Sequence, residues 1–217
     1  MAGKKKILVL ISGSGTNLQA LIDACAAGKI DGEIVKVVSS SPDAYGLTRA
    51  SNSSIPTHVH DLQGQYYKNI PKEDKKARKQ ARDKFNLDLA EYIVRPENKP
   101  DLIVCAGWML ILSRDFLLEL EKHKVPIINL HPALPGAFAG INAIERAWQA
   151  GQNGEISTAG VMIHKVITEV DEGEPLVVKE FPLIRTESLE QYTDRVHSVE
   201  HIAIVEGTQK ALQTLVL

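Results

Sequence analysis

Five short apolar runs recur between segments of helical pattern: KILVLIS from residue 6, EIVKVVSS from 33, PTHVHDL from 56, DLIVCAG from 101 and PIINLH from 126. No other feature narrows the available folds as much. Runs rich in β-branched residues and apolar at successive positions suit strands buried on both faces, which occur in parallel sheets covered by helices on either side. Between the first two lies TNLQALIDACAAG, where Leu18, Leu21, Ile22 and Cys25 repeat at i, i+3, i+4 and i+7 and Gly28 supplies the stop. The chain therefore reads as α/β, a Rossmann-like, mostly parallel twisted sheet with helices on both faces. TAGVMIHKVI and PLVVKEFPLI, either side of the turn-like TEVDEGEP, read as further strands, antiparallel at an edge. A chain of 217 residues, 44% of them hydrophobic, can bury the core of one such domain, expected over residues 1–217.

Charge and hydropathy exclude several partners. A formal net charge of −2 gives no general attraction for nucleic acid or an anionic membrane surface. No apolar run approaches the roughly 20 residues that span a bilayer. The basic start, MAGKKK, passes directly into a strand pattern without the apolar core of a signal peptide. The expectation is a cytoplasmic protein that acts on small molecules. Cys25 and Cys105 both fall in apolar patterns and read as small buried hydrophobes. One stretch is compositionally biased: residues 66–85, YYKNIPKEDKKARKQARDKF, carry eight basic and three acidic side chains. It reads as a solvated helix face, because no nucleic-acid-binding module and no overall basic charge accompany it; a polyanion site is the alternative.

The residues that carry chemistry gather at strand ends. LISGSGTNLQAL takes a strand through Ser12, Gly13, Ser14 and Gly15 into a helix opening at Thr16 and Asn17. The first amides of a helix lack intrahelical partners and the helix dipole favours an anion beside them, so a phosphate fits there. A dinucleotide fingerprint needs a third small residue where Leu18 stands, and no Lys-Ser or Lys-Thr follows. That leaves a mononucleotide-like phosphate or a plain connecting turn. Ligands of parallel sheets gather beyond the carboxyl ends of strands, so this loop and NLHP are expected to border one cleft. Asn129 and His131 alternate with Leu130 and project to one side of a strand. A neutral amide and an imidazole converging on one point suit a carbonyl oxygen that gains negative charge during attack. The plainer alternative is a histidine that satisfies a turn carbonyl. Asp171, in ITEVDEGEP, reads either as Asp-x-Gly turn chemistry or as a carboxylate folded back on His131, where it would raise the imidazole pKa. His131, His164 and Asp171 lack compact ligand spacing, so no metal is expected.

Taken in order, ILVLISGSGTNLQALIDA, AGWMLILS, INLHPALPG, GVMIHKVITEVDEGEP and the final helix resemble the phosphoribosylglycinamide formyltransferase family in its stand-alone fungal form, over nearly the whole chain. HPALPG alone resembles a loop found across formyltetrahydrofolate-using enzymes; the ordered set is specific. The resemblance implies a formyltransferase fold and a reaction of purine synthesis. In it the amine of glycinamide ribonucleotide attacks the formyl carbon of 10-formyltetrahydrofolate, giving formylglycinamide ribonucleotide and tetrahydrofolate. It implies that Asn129 holds the formyl oxygen, that His131 is the protonated acid and oxyanion partner, and that Asp171 sustains that protonation. The ribonucleotide phosphate is implied at Gly15, Thr16 and Asn17. The folate, a donor substrate and not a separate cofactor, is implied at Met109, Leu110, Ile111 and Leu112, at Asn129, and at Ile167, Thr168, Glu169, Val170 and Asp171. Relatives commonly carry Arg where this chain has Leu110, so a backbone contact is implied there. Arg82, in R-x-x-F-N-x-x-L, matches a family arginine near the ligand cleft and is implied to pair with a substrate carboxylate.

In the last helix, Ser188 and Gln191 form a capping-box pattern, and Leu189, Tyr192, Val196, Val199 and Ala203 form an apolar stripe. Glu200 falls about 20° from Leu189 on the helical wheel. The matching family glutamate touches the ribonucleotide; a rim salt bridge is the alternative. Three other readings compete. A methionyl-tRNA formyltransferase is expected to continue into an RNA-binding domain, and a formyltetrahydrofolate hydrolase to carry an extra amino-terminal domain. A non-catalytic nucleotide-binding regulator would keep the glycine loop without needing Asn129, His131 and Asp171 together.

Overall fold

The first apolar run forms β1 (Lys5–Ile11), in which Ile7, Leu8, Val9, Leu10 and Ile11 are all fully buried, as a strand covered on both faces must be. The structure is a computed structural model and describes residues 3–215. β1 pairs in parallel with β2 (Gly32–Ser39) on one side and with β4 (Leu102–Cys105) on the other, and β2 pairs in parallel with β3 (Thr57–Val59). β5 (Ile127–His131), β6 (Thr158–Lys165) and β7 (Pro175–Pro182) follow, with β5–β6 and β6–β7 antiparallel. The seven strands lie in the order β3-β2-β1-β4-β5-β6-β7. The α/β expectation holds, including the antiparallel pair at one edge.

The chain divides into two compact units. The first contains residues up to Gln19 and Gly32–Ile127. With β1 to β4 it holds the start of α1 (Thr16–Ala26), α2 (Gly46–Asn52), a single π-helical turn (Leu62–Tyr66), α3 (Lys75–Val94) and α4 (Arg114–Lys122). Caps set several of these boundaries: Asp74 accepts from the Ala77 amide at the head of α3, and Ser113 accepts from Phe116 at the head of α4. PTHVHDL yields only three strand residues, because Asp61 turns the chain by accepting from the Gln63 amide and capping the π-helical turn.

The second unit contains Ala20–Asp31 and the chain from Ile128 onward, with α5 (Ala143–Gln152) and α6 (Leu189–Thr214). α6 opens with the capping box expected from the sequence: Gln191 N donates to Ser188 Oγ and Ser188 N to Gln191 Oε1. Gly207 lets α6 approach β6 closely, since a Cβ there would sit 2.6 Å from Ile163 Cγ2. The buried stripe runs through Tyr192, Val196, Glu200, Ala203 and Gly207, while Leu189 and Val199 stay partly exposed. Glu200 thus lies within the stripe and not beside it. Cys25 likewise departs from expectation: it is partly exposed, and Ala24 joins Leu18 and Leu21 in the core. No helix among the described residues is long and apolar enough to cross a membrane.

Candidate active site

Strand register assembles the polar cluster of the second unit. Asn129 and His131 are two apart on β5, and the antiparallel pairing sets His164 of β6 directly opposite Asn129. All three side chains therefore leave one face of the sheet. Between β6 and β7 the chain folds back and delivers Asp171, whose φ of +60° is a left-handed conformation that Asp tolerates better than bulkier residues. Its carboxylate bridges the cluster: Oδ2 lies 3.3 Å from His131 Nδ1 and accepts from Gly140 N at 2.9 Å, while Oδ1 lies 3.4 Å from His164 Nε2. Asn129 Nδ2 is 3.4 Å from Asp171 Oδ1 and 3.3 Å from His164 Nε2, distances long enough to leave the amide available to a better acceptor. His164 Nδ1 donates to the Lys165 carbonyl at 2.9 Å.

Burial governs the charge states. His131 is 4% exposed, and desolvation lowers its pKa below the ordinary value despite the opposing pull of Asp171. The carboxylate acts in the direction expected from the sequence but is outweighed, so the resting imidazole is neutral near pH 7. Desolvation works to raise the Asp171 pKa, yet the His164 contact, the Gly140 amide and the charge of His131 together hold it below the usual carboxylate range. Nδ1 lies 3.3 Å from a carboxylate that can only accept, which favours the tautomer protonated at Nδ1; backbone hydrogen bonds with Phe138 and Ala137 also act on the ring. Nε2 is buried and has no hydrogen-bond partner among the described residues. A buried ring nitrogen with a free lone pair is equipped to take a proton from a ligand.

Both shifts have the same thermodynamic sign. The unfolded chain binds more protons than the folded one, first below the ordinary histidine pKa and then below that of aspartate. The stability contributed by His131 is complete above about pH 6.5 and lost as pH falls through its folded pKa; that of Asp171 is lost only below about pH 4. Urea unfolding at pH 7.5 and 5.5 is expected to show a lower midpoint at the acid value with an unchanged slope. A higher midpoint at pH 5.5 would contradict these assignments.

The loop that carries Asp171 depends on Gly173. A Cβ at that position would collide with the Lys165 carbonyl and sit 3.3 Å from His164 Nδ1. Gly173→Ala is therefore expected to displace the 166–174 loop and lower activity by about 10²-fold, the scale of a misplacement of roughly 1 Å in a catalytic array. Wild-type turnover by this variant would show that the loop is not held by that approach.

The first unit carries the glycine loop. Gly15 has φ +70°, and a Cβ there would lie 2.6 Å from the Gly46 Cα; Gly46 N donates to the Gly13 carbonyl at 3.1 Å. Two glycines in close approach thus shape the turn before α1, and Arg49 Nε braces it by donating to the Ser14 carbonyl at 2.9 Å. Thr16 and Asn17 form the first turn of α1, with Asn17 buried. Ser12 Oγ accepts from Met109 N at 2.9 Å, tying the end of β1 to the loop Met109–Leu112. In that loop Met109 is 74% and Ile111 60% exposed, large apolar surface left open to solvent, while Leu110 and Leu112 are partly covered. Arg82 lies partly buried on α3. In the second unit Ile167, Thr168, Glu169 and Val170 are exposed on the loop before Asp171, and Glu200 is 4% exposed on α6.

Sequence reasoning left His164 ambiguous and missed two further contributors. The β5–β6 register settles the place of His164, and a hairpin pairing opposite Asn129 is the signal that could have fixed it from sequence. The Gly140 amide and Gly46 act through backbone geometry, which leaves no mark in residue type beyond glycine itself.

These features agree with the comparisons to known proteins. The family model described as Formyl transferase matches residues 5–208. The phosphoribosylglycinamide formyltransferase of Saccharomyces cerevisiae is 57% identical over 97% of this chain and 98% of its own. The chain belongs to the phosphoribosylglycinamide formyltransferase family. The family member of Schizosaccharomyces pombe is 46% identical over 95% of this chain and 96% of its own. Among solved family structures, glycinamide ribonucleotide transformylase 1 from Symbiobacterium toebii has a TM-score of 0.78 at 31% identity, covering 96% of this chain and 88% of that one. The formyltransferase from Bacillus halodurans has a TM-score of 0.79 at 28% identity, covering 96% and 95%. The resemblance drawn from the ordered motifs is borne out, the fungal form included.

Proposed function

We propose that this protein transfers the formyl group of 10-formyltetrahydrofolate to the amine of glycinamide ribonucleotide, releasing tetrahydrofolate, as a cytoplasmic step of purine synthesis. The observation that carries the reading is the Asp171 carboxylate between two buried imidazoles, with Asn129 Nδ2 3.4 Å from the same carboxylate and Nε2 of His131 unpartnered among the described residues. The amine attacks the formyl carbon; Asn129 Nδ2 donates to the oxygen as it becomes negative. His131 Nε2 takes the proton that the attacking nitrogen sheds and gives it to the departing folate nitrogen, so that its neutral resting state serves first as base and then as acid. Asp171 stabilises the imidazolium in between. The proton ledger closes without metal or redox chemistry. His131 is thus protonated during the reaction and neutral before it, which reconciles the family role with the buried ring.

The glycine loop is read as the phosphate site, with the Gly15, Thr16 and Asn17 amides at the α1 N-terminus as donors, and Glu200 as a partner for the ribose hydroxyls. The folate is assigned to Met109–Leu112 and residues 167–171, whose exposed apolar side chains suit the flat faces of a pteridine. At Leu110 only the backbone can bond. Arg82 is read as a partner for a folate carboxylate. Incubation with both substrates, following tetrahydrofolate release with and without the ribonucleotide, tests the reading. Release is expected only when the amine is present. Release without it would identify a hydrolase.

A further inference from the structure

The stretch between β5 and α5 reaches Asp171 through the Gly140 amide, and its backbone follows a costly path. Gly136, Phe138, Gly140 and Asn142 have φ of +75°, +50°, +84° and +57°. Left-handed backbone is unfavourable for a residue with a Cβ, so Phe138 and Asn142 keep it only where their surroundings hold them. Arg146, near the start of α5, supplies that hold. Its Nη1 donates to the Ala139 carbonyl at 2.9 Å and to the Ile141 carbonyl at 3.4 Å, while its guanidinium lies over the Phe138 ring at 5.5 Å. The electrostatics of the helix do not account for this residue, because the macrodipole favours anions and not cations at an amino end.

The carbonyl that Arg146 grips and the amide that Asp171 accepts from belong to one peptide group. Ala139 C=O and Gly140 N–H flank a single trans peptide bond, across which they point in opposite directions. Arg146 stands on the oxygen side, and Asp171 Oδ2 takes the hydrogen at 2.9 Å on the other. A cation on the oxygen draws electron density through the peptide and makes the N–H a stronger donor, as in any series of hydrogen bonds. We propose that Arg146 is a positioning residue for formyl transfer, aiming and polarising the peptide between Ala139 and Gly140 so that its amide fixes the Asp171 carboxylate beside His131. The proposal rests on the role given above to Asp171. That carboxylate sits in a loop of its own and has few other anchors: His164 Nε2 and Asn129 Nδ2 both lie 3.4 Å from Oδ1, so the Gly140 amide is the short contact that sets its place.

The test is a double-mutant cycle on kcat in the full-length protein. Arg146→Met keeps the length of the stem and removes the donors. It is expected to lower kcat about tenfold, less than the roughly 10²-fold of a 1 Å misplacement, because the loop keeps its covalent path. KM for both substrates should stay within about twofold, as for an interaction that serves the transition state and not binding. Arg146→Lys, which returns a charged donor, should recover most of the rate. In an Asp171→Asn background the carboxylate is already gone, so Arg146→Met should cost about twofold at most. The Gly140 amide proton should move upfield in Arg146→Met as its bond to Asp171 weakens. Should Arg146→Met not fold, Arg146→Gln carries the same cycle. Full kcat without the arginine, an unmoved Gly140 amide, or a tenfold loss repeated in the Asp171→Asn background overturns the inference and leaves the proposed reaction standing. Turnover kept by Asp171→Asn alone overturns the role of Asp171 and the inference with it.

Discussion

Asp171→Asn is expected to lower kcat by about 10³- to 10⁴-fold, the scale on which loss of an orienting carboxylate disables a buried imidazole. The substitution is nearly isosteric, and Asn accepts the left-handed backbone that Asp171 adopts at φ +60°. Its effect should therefore fall on charge and not on fold. Three contacts change at once: His131 loses the influence that most raises its pKa, His164 Nε2 loses an anionic neighbour, and Gly140 N donates to an amide oxygen in place of a carboxylate. An NMR titration should find the His131 pKa lower still in the variant, and thermal unfolding should shift by only a few degrees. A variant that keeps its turnover would show that the bridge between the imidazoles is structural.

His131→Ala is expected to cost about 10³-fold in kcat, within the range of general acid–base contributions, with KM for the ribonucleotide nearly unchanged. The void left by the ring sits beside Asp171, which keeps the Gly140 amide and His164 and so remains paired. Added imidazole should enter that space and recover part of the rate, which a merely structural histidine would not allow. A variant with wild-type kcat would remove His131 from the chemistry.

The sequence disclosed the parts of this protein that depend on local pattern. Doubly buried runs such as KILVLIS imply a covered parallel sheet, and the i, i+2 spacing of Asn129 and His131 implies a shared face; both follow from strand periodicity. The Ser188 capping box was legible for the same reason. What stayed hidden depends on contacts between distant segments. Asp171 read by itself more readily as a turn residue, because its approach to His131 needs the 166–174 loop to fold back, a path set by Gly173 against the Lys165 carbonyl. His164 was ambiguous until the β5–β6 register set it opposite Asn129. The balance of charge was hidden as well: proximity of a carboxylate suggested a raised histidine pKa, whereas the depth of burial reverses the sign. The shift of the α6 stripe onto Glu200 shows the same limit, since a helical wheel locates the apolar face but not the neighbour it packs against.

The central claim is that the Asn129 amide and His131 Nε2 meet the reacting formyl group. A crystal structure with glycinamide ribonucleotide and a folate analogue bearing an inert carbonyl in place of the formyl group tests it most directly. The account expects that carbonyl oxygen to accept from Asn129 Nδ2, with His131 Nε2 within hydrogen-bonding reach of the attacking nitrogen or that oxygen. A carbonyl held by other residues, with Asn129 still turned to Asp171 and His131 Nε2 still without a partner, would contradict it.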